Sequence, residues 1–193
     1  MEKLKIGYAM CGSFCTFDVN IARINALVES GHDVTPIMSY SACSIDTRFG
    51  EASEFVSEIE LICGKKIINT ISGAEPIGPK NLLDILVVSP CTGNTLAKLT
   101  HSITDTPVLM AVKSHLRNGK PVLIAVSTND ALGGNAENLG ALMGRKNYYF
   151  VPLRQDDSAN KPASMISDVT LIPQAITAAM QGKQMQPLML RPK

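Results

Sequence analysis

Four short runs of small polar residues are placed where chemistry could be done: Cys11-Gly12-Ser13-Phe14, Ser39-Tyr40-Ser41-Ala42, Ser89-Pro90-Cys91-Thr92-Gly93-Asn94-Thr95 and Ser127-Thr128-Asn129-Asp130. Each follows an apolar stretch. Hydroxyls, a glycine that permits close backbone approach and the first amides of a helix can hold a phosphate without a formal charge. Gly12 and Ser13 suit that task, with Ser39 and Thr95 able to join them. Thr92, Asn94, Ser127 and Asn129 offer the donor and acceptor edge that a flat heteroaromatic ring requires. Taken alone, Ser13 is equally well a plain helix N-cap and the second run a plain turn. Neither GxGxxG nor GxxxxGK[ST] occurs, so the sequence has no dinucleotide fingerprint and no P-loop.

The other reactive side chains form no constellation. His32 falls in a turn after Gly31, His115 in a helix beside Lys113 and Arg117 at a surface or interface, and His101 at the end of a helix. No metal-ligand spacing links them to cysteine, and no metal is expected. Cys11, Cys15, Cys43, Cys63 and Cys91 are odd in number and widely spaced. Free thiols in a reducing cytoplasm follow, with Cys11 a packed thiol and Cys91 facing the ligand. Lys98, one turn into its helix, is either solvated or a partner for a carboxylate.

The elements that must position these runs are legible from apolar periodicity. Strands are predicted over 3–10, 33–39, 67–68, 82–88, 121–126 and 148–153, the second weakened by Pro36. Helices are predicted over 17–30, where Phe17, Ile21, Ile24 and Val28 share a face, and over 47–62, 92–99, 106–117, 135–143 and 169–180. Strands alternating with helices indicate an α/β fold, a Rossmann-like open parallel sheet of about six strands with helices on both faces. Ligands of such sheets bind at the carboxyl ends of the strands, where the four polar runs fall.

The chain has 193 residues, 45% hydrophobic and 18% charged, with a formal net charge of +1. That supports one core, read as a domain over 1–181 and a flexible tail over 182–193. With no basic run beyond Lys65-Lys66, nucleic acid is not an expected partner. The apolar amino-terminal stretch is too short for a secretion signal, and no run is long enough to span a membrane.

The segments DILVVSP, CTGNTLAKLTHSITDT and VLIAVSTNDAL, with Gly12-Ser13, resemble over residues 4–153 the flavoprotein family that includes flavin prenyltransferases and phosphopantothenoylcysteine decarboxylases. The family pattern is met by Asp84, Pro90, Thr92, Asn94-Thr95 and Asn129. The resemblance implies FMN in a cleft between subunits of a homo-oligomer, a trimer or a dodecamer. The implied cofactor-binding set is Gly12, Ser13, Phe14, Ser39, Pro90, Cys91, Thr92, Asn94, Thr95, Ser127 and Asn129, with no catalytic residue assigned. LKIGYAMCGSFCTF and ISGAEPIGPKNLLDILVVSPCTGNT are most similar to family members that serve as one of two subunits in sporulating bacteria. That branch implies dehydrogenation of a small dihydropyridine dicarboxylate in the mother-cell cytoplasm, with NADP bound through the companion subunit. The alternatives are an FMN-dependent decarboxylase or prenyltransferase, or a flavin-free scaffold. Family decarboxylases place a catalytic His shortly before the aspartate-bearing strand. Here Pro76 stands at that place, with no His between Asn69 and Asp84, and no basic clamp for an isoprenyl phosphate is evident.

Overall fold

In the computed structural model, which describes residues 3–191, seven strands form one sheet. They are β1 (Lys5–Met10), β2 (Asp33–Met38), β3 (Ile85–Cys91), β4 (Val122–Thr128), β5 (Tyr148–Phe150), β6 (Leu153–Arg154) and β7 (Met165–Ser167). The helices are α1 (Phe17–Glu29), α2 (Tyr40–Ser44), α3 (Ala52–Cys63), α4 (Ile71–Ala74), α5 (Gly93–Thr100), α6 (Pro107–Leu116), α7 (Ala136–Met143) and α8 (Ile172–Met180). The first two and last two residues, which begin the charged start and end the expected tail, lie outside the described residues.

The strand order β2-β1-β3-β4 is parallel throughout, so the order reverses between β1 and β3. β2 is an edge strand, which is where a proline is tolerated, and Pro36 sits opposite Tyr8 there. The short strand expected at 67–68 is a bridge from Ile68 to Ile37 on that outer edge.

Side chains alternate across β1, β3 and β4 into two cores. Ile6, Tyr8, Met10, Ile85, Val87, Leu123 and Ala125 pack with Phe17 and Ile24 of α1, Ile59 of α3 and Ile176 of α8. Ala9, Leu86, Val88, Val122, Ile124 and Val126 pack with Leu96 of α5, Val108 and Val112 of α6 and Leu142 of α7. Burial on both faces is why these strands read as continuous apolar runs.

The structure departs from expectation at four places. The helix expected from residue 47 starts at Ala52, because Asp46 Oδ1 accepts from the Ala52 amide (2.9 Å) and Thr47 and Gly50 exchange backbone bonds in a turn. The strand expected over 148–153 divides: β5 runs parallel to β4, whereas β6 pairs with β7. β7 is antiparallel to the carboxyl end of β4, so the sheet is mostly rather than wholly parallel. Residues 182–190 fold back on their own chain, with Leu153 donating to Leu188, Leu190 donating to Leu153, and the Gln184 amide bracketing Phe150.

Candidate functional site

The loops after β1, β3 and β4 open into a cleft of about 850 Å³ at the point where the strand order reverses. Ser13 and Phe14, Thr92 and Asn94, and Ser127 to Asp130 form its floor. Phe49 and the segment 161–166 form its outer walls. A second compartment of about 230 Å³ lies beside it, lined by Cys11, Ser39, Ser41, Thr95 and Lys98 among others. Gly12, Thr92 and Asn94 line both, so the two are halves of one site.

The small half is a set of neutral polar groups at helix starts. Thr92 is the extended N-cap of α5, and its Oγ1 accepts from the Thr95 amide (3.3 Å). The Thr95 hydroxyl donates to Cys11 Sγ (3.2 Å). Burial pushes the Cys11 thiol up to about 11, so it stays neutral. Ser39 caps α2, accepting from the Ala42 amide (3.3 Å) and lying 3.3 Å from the Ser41 hydroxyl. The charge of Lys98 is answered by Asp105 at 2.6 Å.

The wide half is held together by side chains from different loops. The Ser13 and Ser127 hydroxyls meet at 2.8 Å, joining the loops after β1 and β4, so Ser13 lines the wide half and not the small half with Ser39 and Thr95, where it was expected. Asp130 accepts from the Thr128 hydroxyl on one oxygen (2.5 Å) and from the Asn135 amide on the other (2.7 Å). Gly93, the first residue of α5, lies against this cluster. A Cβ there would come within 2.7 Å of Asp130 Oδ1 and Thr128 Oγ1 and 2.5 Å of Asn135 Nδ2.

Behind the floor is a buried polar network. Asn20 Oδ1 accepts from the Tyr8 hydroxyl (2.8 Å) and the Ser89 hydroxyl (2.5 Å), and Asn20 Nδ2 donates to the Thr16 carbonyl (2.7 Å).

Of the residues expected at the cofactor, Gly12, Ser13, Phe14, Ser39, Thr92, Asn94, Thr95, Ser127 and Asn129 line one half or both. Pro90 and Cys91 do not. β3 continues through them with a register shift between Val88 and Cys91, which turns the Cys91 side chain into the core beside α5. Burial, then the nearby Cys11, holds its thiol well above the usual range. Pro90 instead lines a 40 Å³ cavity with Asn20 and Ser89. Asp84 sits at the opposite end of the sheet, accepting from the Lys5 amide (2.8 Å) to pin the start of β3 to β1. His115, expected at a surface or interface, is 1% exposed, its Nε2 donating to the Pro121 carbonyl (3.1 Å). No histidine or arginine lines either half among the described residues.

The sequence reading missed Phe49 and the segment 161–166. Phe49 had a signal, being an aromatic beside Gly50, but segment 161–166 reaches the cleft only through the β4–β7 pairing.

Residues 1–157 match the family described as Flavoprotein. The chain belongs to the flavoprotein family. It is 45% identical over 186 residues to the dipicolinate synthase B subunit of Bacillus subtilis (strain 168), covering 96% of this chain and 93% of that protein. The structure of the corresponding dipicolinate synthase B subunit from Bacillus halodurans C matches with a TM-score of 0.90 at 42% identity, over 98% of this chain and 97% of that one. A dodecameric FMN-dependent UbiX-like decarboxylase from Escherichia coli O157:H7 shares the fold, with a TM-score of 0.64 at 20% identity over 77% and 80% of the two chains. Among the described residues, no helix is long and apolar enough to cross a membrane and no group of side chains could hold a metal ion.

Proposed function

We propose that this chain is the flavin-fold subunit of a dipicolinate synthase. In this reading it supports oxidation of dihydrodipicolinate to dipicolinate together with an A subunit that binds NADP. The observation that carries the reading is the 45% identity spanning 96% of the chain. The site is compatible with it. The small half offers hydroxyls from Ser39, Ser41 and Thr92 and the first amides of α5, a setting for the phosphate of FMN. The wide half offers Phe14 as an apolar surface and Thr92, Asn94, Ser127 and Asn129 as polar edges for its ring. A bound flavin would supply a two-electron acceptor. The protein groups orient ring and substrate, and the walls from Phe49 and segment 161–166 limit the water that reaches them.

The alternative of a free-standing decarboxylase is disfavoured because no imidazole lines either half of the site. The proposed assembly is a homo-oligomer, a trimer or a dodecamer, in the mother cell of a sporulating bacterium. The test measures NADP reduction on dihydrodipicolinate by this chain, by the A subunit and by their mixture, each with and without FMN. Activity confined to the mixture and raised by FMN is the expected result. Equal activity of the A subunit with and without this chain refutes the reading, and activity of the mixture untouched by FMN supports the flavin-free scaffold.

A further inference from the structure

We infer that Asp130 is the general base of this site, taking the proton that a dihydropyridine ring releases as it becomes aromatic. The inference rests on the proposed oxidation. Aromatisation breaks two ring C–H bonds. A hydride leaves one carbon for the two-electron acceptor, while a proton leaves its neighbour and the electron pair of that second bond becomes the new ring π bond. The acceptor takes two electrons and one hydrogen, so a base must take the other.

Few side chains of the site can do so. Cys11 is neutral, buried and engaged by Thr95. Lys98 is paired with Asp105; Asp156, the other carboxylate lining the cleft, lies 3.8 Å from Lys161 through Oδ2, and its buried Oδ1 accepts no hydrogen bond that would orient it. Of the two carboxylates that line the cleft, Asp130 is the one with both oxygens held by side-chain donors, the geometry of an oriented base.

Each of its oxygens accepts one bond, from Thr128 at 2.5 Å and Asn135 at 2.7 Å, and Asn138 donates in turn to Asn135 Oδ1 at 3.0 Å. A carboxylate has about four acceptor positions, so each oxygen retains one. The Gly133 and Asn135 amides both donate to the Asp130 carbonyl at 3.0 Å, closing the loop that carries it. Asp130 Oδ1 lies 2.7 Å from where a Cβ on Gly93 would stand, and Gly93 is flanked by Thr92 and Asn94, which line both halves of the site. A carboxylate that lines the cleft proposed for the ring and is held by further side chains is the arrangement such catalysis needs.

The test uses the complete mixture of this chain, the A subunit, FMN and NADP. Asp130→Asn should lower kcat by about 10²- to 10⁴-fold, leaving KM for dihydrodipicolinate and the affinity for dipicolinate unchanged. Asp130→Ala should regain turnover when formate or acetate is added, a response that a merely structural aspartate does not give. Native kcat in Asp130→Asn, or a folded Asp130→Ala that no carboxylate rescues, overturns the assignment. If neither variant folds, Asp130→Glu decides: native stability with lowered kcat and unmoved KM supports the base, and unchanged kcat overturns it. An inactive native mixture refutes the synthase reading itself, which separates that failure from a failure of Asp130.

Discussion

Replacing Gly93 with alanine tests whether the Asp130 cluster is a fixed body. Gly→Ala within a helix ordinarily stabilises by about 0.5–1 kcal/mol. Here the added Cβ would stand 2.5 Å from Asn135 Nδ2 and 2.7 Å from both Asp130 Oδ1 and Thr128 Oγ1. All three atoms end side chains, and a lone side chain would swing aside. These three are bonded to one another and to Asn138, so displacing one breaks a contact of the next. Overpacking of this kind costs about 1–3 kcal/mol, so after the helix gain the net effect runs from about zero to a loss of about 2.5 kcal/mol. At this chain length each kcal/mol lowers Tm by about 2–4 °C. The assay is denaturant unfolding at one fixed protein concentration, since association adds to apparent stability. Thr128→Ala in the Gly93→Ala background should recover part of the loss by making room. A Gly93→Ala variant more stable than the native chain by about the helix gain refutes the claim that the cluster is rigid.

His115 makes stability depend on pH in a defined direction. Burial pulls its pKa down to about 4, so the folded state resists protonation that the unfolded chain accepts near 6.5. Stability is full above about pH 6.5 and is lost as pH falls towards 4, at up to about 1.4 kcal/mol per pH unit. His115→Gln, which keeps a donor for Pro121, should flatten that slope in unfolding curves across the window. Asn20→Leu should cost about 2–4 kcal/mol in denaturant unfolding by stranding the Tyr8 and Ser89 hydroxyls, and Tyr8→Phe in that background should return part of it. Cys15 is exposed and lines the wide half, whereas Cys11 and Cys91 are buried. A thiol reagent should therefore label Cys15 first, and saturating FMN should slow that labelling; an unchanged rate places the ring elsewhere.

The central strands could be read because two-sided burial writes itself as unbroken apolar sequence in Ile85–Val88 and Val122–Val126. The floor of the site followed, since polar residues after such strands have one place to go in a parallel sheet. What stayed hidden depended on partners remote in sequence. Cys91 looked like a loop residue because Ser89-Pro90 reads as a strand end, yet β3 continues past it. β6 and β7 are two and three residues long, too short to carry a period, and exist because the end of β4 has an unpaired edge to offer. His115 sat among charged neighbours in sequence but faces inward on its helix.

The forked edge of β4 divides the site where the family match ends. The floor lies within residues 1–157, the part matched to the family at large, whereas the wall at 161–166 lies beyond it. Ser164 donates to the Thr128 carbonyl and Leu132 to the Ala163 carbonyl, so this wall is tied directly to the loop that carries Asp130. The ten residues between β6 and β7 are the natural segment to transplant between relatives with different substrates.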